Sequence, residues 1–312
     1  MSKILITGGN GFLGVSLGKF YSKNNEVLLG SRNNLKNFAA KSKSGCEICP
    51  LDVSNIESVR DCINQFKPEI IIHAAATKYV QLSEEFPFEC IDTNVVGSQN
   101  IARVAIEKNI DTVIGISTDK TAPPIGNIYG LSKSLMEKMY CSLNTKAKTN
   151  FSCVRFGNIA WSSGSVFPIW KNMMKEKNLI ESTGPNMKRF FFNIDQAISL
   201  VNVCLKSINI TNGKVLSKKM KCAKISDILD IWCDHYKTSW KEIAKRKGDK
   251  DDEYLIGEIE KDYTSEVIIE DDSFFLLDFY IKSKKPISDS YSTQNAEKLS
   301  LDEIIELIKI GN

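Results

Sequence analysis

Tyr129 and Lys133 stand four residues apart in Tyr129-Gly130-Leu131-Ser132-Lys133, a spacing that puts both side chains on one face of a helix. A free tyrosine ionises near pH ~10, so a phenolate base at neutral pH needs that value lowered by roughly three units, about 4 kcal/mol. A neighbouring ammonium such as that of Lys133, with a cationic cofactor ring, supplies such a shift. The chain also opens with Thr7-Gly8-Gly9-Asn10-Gly11-Phe12-Leu13-Gly14, directly after the apolar Ile4-Leu5-Ile6 and before an amphipathic stretch. Gly8, Gly11 and Gly14 let the backbone approach an anion, and a helix N-terminus adds free N–H groups and its dipole. Strand, glycine turn and helix in that order predict a dinucleotide site along this segment, Asn10, Phe12 and Leu13 included. At the end of the second strand an acid would bind the adenosine ribose hydroxyls and repel a 2′-phosphate. The chain has Gly30-Ser31-Arg32-Asn33 there, so Ser31 and Arg32 predict NADP rather than NAD. Asp52, beside Val53 just past the third strand, is placed either to hydrogen-bond the adenine or to cap the following helix.

These residues need a scaffold, and the first half of the chain supplies its pattern. Short β-branched runs at Lys3–Thr7, Glu26–Gly30, Cys46–Leu51, Ile70–Ala74, Thr112–Ser117 and Phe151–Phe156 alternate with helical stretches such as Phe12–Lys23, Ile56–Phe66, Val95–Lys108 and Ile128–Leu143. That alternation predicts an α/β fold: a Rossmann-type, doubly wound parallel sheet with a smaller C-terminal substrate-binding α/β domain. The nucleotide half is expected over 1–160 plus about 190–215, and the smaller domain over about 161–189 and 216–312. Past Gly157 the pattern weakens into the Ser162-Ser163-Gly164-Ser165 turn, a strand turning into a helix over Phe190–Leu205, and a lysine- and acid-rich stretch whose Lys245–Glu253 segment reads as a solvated face. Ser300-Leu301-Asp302-Glu303 has capping-box form ahead of a closing helix.

Thr7–Gly14, His73-Ala74-Ala75-Ala76, Thr93-Asn94, Ser117-Thr118-Asp119, Tyr129–Lys133 and Arg155-Phe156-Gly157-Asn158 together resemble the extended short-chain dehydrogenase/reductases. Within that superfamily Ser117-Thr118-Asp119-Lys120 resembles the UDP-N-acetylglucosamine 4,6-dehydratases, some of which also invert C5. Gly184–Phe190, Arg246-Lys247-Gly248-Asp249-Lys250 and Tyr291–Asn295 resemble the same subgroup. The resemblance implies cofactor contacts from Ala74, Ala75, Ala76 and Asn94. It implies that Tyr129 takes the C4 hydroxyl proton beside Thr118, that Lys120 removes the C5 proton, and that Asp119 protonates the departing C6 hydroxyl. A lysine base must be partly neutral and its acid partner protonated, so the two environments must push those affinities apart. Read without the resemblance, Asp119-Lys120 is also an ordinary loop ion pair. Lys78, Asn158, Ser165 and Arg189 are implied on the substrate side; for Asn158 a loop cap, and for Arg189 and Lys78 an ordinary structural place, remain open.

Departures bear on the substrate. Tyr79 stands where the subgroup usually has His, Lys188 replaces a usual threonine, and Asp249 a usual glutamate. Trp161-Ser162-Ser163-Gly164-Ser165 replaces Gly-Ser-Arg-Gly-Ser, which puts an indole where the sugar nucleotide is expected. The favoured reading is a UDP-linked substrate and no net cofactor consumption. Alternatives are a 4-epimerase, a 4-keto reductase, a dehydratase for a GDP-linked amino sugar, or a non-catalytic NADP sensor, the last disfavoured because Thr118, Tyr129 and Lys133 are all present.

Composition sets outer bounds. A net charge of +3 from 41 basic and 38 acidic residues predicts neither nucleic-acid nor membrane-surface binding. There is no signal-like leader and no apolar run near the ~20 residues that span a bilayer. Nine scattered cysteines read as reduced thiols of a cytoplasmic protein, and His73 and His235 are too few histidines for a metal site or a Ser–His–Asp hydrolase. A homo-oligomer is expected.

Overall fold

A computed structural model describes residues 1–245 and 248–310; of the motifs above, Arg246 and Lys247 lie outside the described residues. The chain runs β1 (Lys3–Thr7), α1 (Phe12–Tyr21), β2 (Glu26–Ser31), α2 (Asn34–Ser44), β3 (Glu47–Pro50), α3 (Ile56–Phe66), β4 (Ile70–His73), the short α4 (Val80–Glu85) and α5 (Pro87–Ile91), α6 (Gly97–Glu107), β5 (Thr112–Ile116), α7 (Ile128–Ser142) and β6 (Asn150–Val154). These strands pair in parallel in the order β3-β2-β1-β4-β5-β6, so the winding direction reverses between β1 and β4. In such sheets ligands bind at that switch point, off the carboxyl ends of the strands. Ile71, Ile72, Val113 and Ile114 are buried on both faces, as the unbroken apolar runs require.

Beyond β6 come β7 (Asn158–Ile159), α8 (Val166–Lys177), β8 (Leu179–Ser182), β9 (Lys188–Phe192), α9 (Ile194–Lys206), α10 (Ile208–Thr211), β10 (Val215–Ser217), β11 (Cys222–Lys224), α11 (Ile225–Tyr236), β12 (Ser239–Glu242), β13 (Tyr254–Ile256), β14 (Thr264–Ile269), β15 (Asp272–Leu277), β16 (Tyr291–Ser292) and α12 (Leu301–Lys309). One apolar layer packs α1, α2 and α9 on the sheet, and the other packs α3, α6 and α7.

The boundary expected at 216 needs correction. β10 joins β6 in parallel, and β15 and β14 follow antiparallel, extending the same sheet to nine strands. The 264–277 hairpin therefore belongs to the large sheet. Its Phe274, Phe275, Leu276 and Leu277 are buried there, which an edge hairpin achieves without the helical crossover that marked the earlier strands.

The smaller lobe has an aromatic core of its own. Phe167 stacks on Trp232 at 5.8 Å and 11°, and Trp170 meets the same indole edge-on at 5.7 Å. Trp161, expected beside the substrate, instead stacks on Phe167 at 5.5 Å and donates its indole N–H to the Leu307 carbonyl at 2.7 Å. Its positive φ of 62° turns the chain so that the ring faces α12. The Ser300 hydroxyl caps α12 in the expected box with Glu303.

Candidate active site

The glycine turn after β1 fits an anion. Gly8 has φ 65°, and a Cβ there would collide with the Ala74 and Ala75 backbone. A Cβ on Gly14 would strike the Gly8 carbonyl. Gly11 caps α1 without a side-chain acceptor and no acid occupies the first turn, so the first N–H groups stay available. The turn lines a cleft of about 840 Å³ together with Arg32, Ala74, Ala75, Ala76, Thr118, Tyr129 and Lys133.

At the adenosine end, the Ser31 hydroxyl accepts from the Asn10 N–H at 3.0 Å and fixes the turn against β2. Arg32 is half exposed on the rim with Glu89 at 3.9 Å, and Lys36 and Lys43 of α2 line the same cleft. Those two lysines were not singled out from sequence, because helix-face lysines ordinarily mean only solubility. Asp52 and Val53 are not among the cleft-lining residues. Asp52 Oδ1 accepts from the Ser54 N–H and hydroxyl at 3.0 and 2.7 Å, Asn55 caps α3 in its place, and Val53 is buried against Gly97. Asn94 is a tie rather than a wall residue. Its amide bonds both main-chain groups of Thr77 and donates to the Ser132 hydroxyl of α7 at 2.9 Å.

Tyr129 and Lys133 emerge from the first turns of α7, which Asn127 caps by accepting from the Gly130 N–H at 2.8 Å. Both are buried. Burial pushes the Tyr129 phenol up to about 12, against the opposing pull of Lys120 and the Thr118 hydroxyl. The helper expected from sequence was Lys133, but burial lowers that ammonium to about 8 and its Nζ points to Met136 Sδ at 3.1 Å. Lys120 is the cation that acts on the phenol in this structure.

Thr118, Asp119 and Lys120 follow β5 as a tight turn. Thr118 donates to Asp119 Oδ1 at 3.0 Å, and Lys120 Nζ donates to the same oxygen at 3.0 Å. Lys120 Nζ also lies 3.6 Å from Oε1 of Glu253. Burial alone would favour a neutral Lys120, but Asp119 and then Glu253 outweigh it and hold the ammonium charged. The expectation of a partly neutral lysine thus fails in the ligand-free state, because its closest neighbours are carboxylates rather than cations. Asp119 Oδ2 and Glu253 Oε2 are buried and without partners among the described residues.

A second cavity of about 440 Å³ opens beside the first, between the large sheet and the aromatic lobe. Lys78, Lys120 and Asn158 line both cavities. Burial lowers the Lys78 ammonium. Ser165, whose buried hydroxyl has no partner among the described residues, and Arg189 line the second cavity. The Arg189 fork is already engaged: it donates to the Lys188 and Lys250 carbonyls, both at 2.8 Å, and faces Glu253 at 3.9 Å. It anchors the 250–253 segment to β9. Tyr79 lies over Gly164, where φ is 74° and a Cβ would strike the ring.

Two features of this region were missed from sequence. Glu253 was counted with a solvated charge run, yet it directly precedes Tyr254-Leu255-Ile256 of β13 and is carried inward with that strand. Arg155, fully buried, forks onto Glu137 of α7 at 3.0 and 2.6 Å and onto Glu260 at 2.8 and 3.0 Å. It pins the Tyr129 helix to the segment after β13.

Residues 4–270 match a family model described as polysaccharide biosynthesis protein. The chain belongs to this family. An uncharacterized membrane protein of Methanocaldococcus jannaschii is 32% identical over 98% of this chain and 95% of its own. Two relatives at 28% identity carry different names: a UDP-N-acetylglucosamine 4,6-dehydratase (inverting) of Campylobacter jejuni, matched over 98% of this chain and 96% of its own, and a UDP-glucose 4-epimerase of Rickettsia bellii, over 98% and 94%. Among solved structures, Pen from Bacillus thuringiensis superposes with a TM-score of 0.89 at 26% identity, covering 98% of this chain and 96% of that one. The fold and motifs are those of an extended short-chain dehydrogenase/reductase, within a family that holds nucleotide-sugar dehydratases and epimerases. No helix among the described residues is long and apolar enough to cross a membrane.

Proposed function

We propose that the chain is an NADP-dependent nucleotide-sugar 4,6-dehydratase, with UDP-N-acetylglucosamine as the substrate to try first. The observation that carries this reading is the position of Lys120. It sits where the dinucleotide cleft meets the second cavity, against a buried carboxylate and two residues past Thr118. An epimerase or reductase works at C4 alone and has no use for a buried lysine–carboxylate pair beside the Tyr129 phenol. Loss of water across C5 and C6 needs one base and one acid there.

When bound, the dinucleotide supplies the hydride acceptor that oxidises C4 and later returns the hydride to C6. Gly8, Gly11 and the start of α1 hold its pyrophosphate, while Arg32, Lys36 and Lys43 supply positive charge for a 2′-phosphate. Tyr129 takes the C4 hydroxyl proton, and the Thr118 hydroxyl links that phenol to Asp119. Lys120 removes the C5 proton and Asp119 protonates the leaving C6 oxygen. Lys78, Asn158 and Ser165 face the sugar nucleotide in the second cavity, with Arg189 behind them. Asn94 acts here by fixing the Thr77 loop on α7, and Asp52 and Val53 by shaping the turn after β3.

Exposed Phe88 and Ile91 on α5 and Leu131 and Leu135 on α7 support a homo-oligomer, and nine unpaired cysteines support a reducing, cytoplasmic setting. The test incubates the purified protein with UDP-, GDP- and dTDP-linked sugars and reads products by mass spectrometry. Loss of one water from UDP-N-acetylglucosamine, with no net change in NADPH absorbance, is the expected result. A C4 epimer of unchanged mass, or stoichiometric NADPH consumption, would replace the dehydratase reading.

A further inference from the structure

We infer that Glu253 is a positioning residue for Lys120, holding its ammonium together with Asp119 and setting the proton affinity that removal of a carbon-bound proton demands. This rests on the reading of Lys120 as the base.

The cluster is small, with both carboxylates buried and Lys120 reaching the two cavities. Lys120 Nζ lies 3.0 Å from Asp119 Oδ1 and 3.6 Å from Glu253 Oε1, and both carboxylates are buried, each with a second oxygen that has no partner among the described residues. The other titratable groups facing it are Tyr129 on α7, Arg189 on β9 and Lys250 on the segment before β13. Lys250 is tied away by donating to the Pro124 carbonyl, and Arg189 by the main-chain carbonyls it holds. Glu253 itself is fixed from outside the cavity: its N–H donates to Thr293 Oγ1 at 3.1 Å, and its carbonyl accepts from the Thr293 N–H at 2.9 Å.

Proton accounting shows what Glu253 does. The step starts from the Lys120–Asp119 ion pair at 3.0 Å. One proton passing along their 3.0 Å contact gives a neutral amine and a protonated acid, the state elimination requires. Lys120 then takes the C5 proton: a C–H bond breaks and an N–H bond forms. The electron pair left at C5 forms the C5–C6 double bond as the C6–oxygen bond breaks, and the Asp119 proton leaves with that oxygen as water. The cluster is back at ammonium and carboxylate. Throughout, Glu253 stays an anion beside the nitrogen that gains positive charge, so its attraction grows as the proton arrives. The same attraction opposes the earlier transfer of the proton to Asp119, so Glu253 sets where the proton rests between Lys120 and its partners. Burial raises the affinity of Glu253 for a proton, and the Lys120 charge opposes that rise.

The test compares wild type, Glu253→Gln and Glu253→Asp with UDP-N-acetylglucosamine, measuring kcat and KM for water loss from pH 5 to 10. In parallel, the Lys120 side-chain signal of [13C]lysine-labelled, ligand-free protein is followed to the alkaline side of the ordinary lysine range, where its carboxylate neighbours push its titration, assigned by its absence in Lys120→Ala. For Glu253→Gln we expect kcat to fall about tenfold to a hundredfold with KM within about twofold. Its kcat profile and the Lys120 titration should both move about one unit toward acid, because one neighbouring negative charge is gone. Glu253→Asp keeps the charge, so its profile should stay in place with at least a tenth of wild-type kcat. An unmoved Lys120 titration in Glu253→Gln overturns the inference. So does equal loss of kcat in both variants without any shift of profile, which marks a merely structural residue. Wild type that converts no nucleotide sugar with loss of water would sink the dehydratase reading, while the titration would still decide whether Glu253 governs Lys120.

Discussion

A fully buried cation, Arg155, and a partly buried one, Lys120, bridge the nucleotide-binding sheet to the segment around β13, and they are finished differently. Arg155 has its fork filled by Glu137, Glu260 and the Leu255 carbonyl, with bonds of 2.6–3.0 Å. Lys120 also lies between two carboxylates, but at 3.0 and 3.6 Å, with an oxygen left over on each and an open cavity on either side. The guanidinium is planar and does not give up its proton, so the first cluster can only hold the fold together. An ammonium on a flexible stem can lose and regain a proton, and the oxygens left over are places for one to go. On the reading proposed above, one cluster is built for position and the other for exchange.

The contrast breaks most visibly at Lys120. Lys120→Ala should lower kcat for water loss about 10³–10⁴-fold, roughly 4–5.5 kcal/mol of barrier, while NADP+ binding by calorimetry stays near wild type. Retained turnover in that variant would remove Lys120 from the chemistry. Arg155→Met should do the reverse, costing roughly 3–5 kcal/mol in urea denaturation because Glu137 and Glu260 are left buried without their partner. Replacing all three together, Arg155→Met with Glu137→Leu and Glu260→Leu, should recover most of that loss if the cluster is only a tie.

A third buried group calibrates the pH response. Burial, and next the Lys133 charge, lower His73 to about 3, between the Thr7 and Ser98 hydroxyls at 2.8 and 3.1 Å. Its folded value lies below the free value near ~6.5, so the unfolded chain binds the extra proton and stability falls as pH drops from 6.5 toward 3. Between pH 6.5 and 5 that amounts to about 1.5–2 kcal/mol. Wild type should lose this much more than His73→Gln in urea titrations at the two pH values, and equal losses would contradict it. The smallest effect belongs to the rim: Arg32→Ala should weaken NADP+ about tenfold, roughly 1–2 kcal/mol, and leave NAD+ little changed by calorimetry.

Much of this was legible before any coordinates. β1 and α3 begin and end where the sequence pattern put them, and Gly8 and Gly11 lie in the expected turn with Gly14 in the first turn of α1, because glycine spacing and apolar runs are local signals. Thr118, Tyr129, Lys133 and Lys120 come together as their motifs implied. What sequence could not supply was contact across distance. Glu253 is 133 positions from Lys120, in a charged run that resembles any exposed loop until β13 pairs with β16 and carries it inward. Trp161 was misplaced for the same reason, since its partner carbonyl at Leu307 lies 146 residues on. The 264–277 hairpin lacked the strand–helix rhythm by which the rest of the sheet was recognised.

The central claim is that the Lys120 cluster removes and returns a proton at C5. Its most direct test is the reaction of UDP-N-acetylglucosamine in heavy water, with proton NMR of the sugar product. The account predicts one deuterium at C5 and none at C6 in the 4-keto-6-deoxy product, and no incorporation with Lys120→Ala. A product that forms with its C5 hydrogen undiluted by deuterium, or incorporation that survives loss of Lys120, would contradict it.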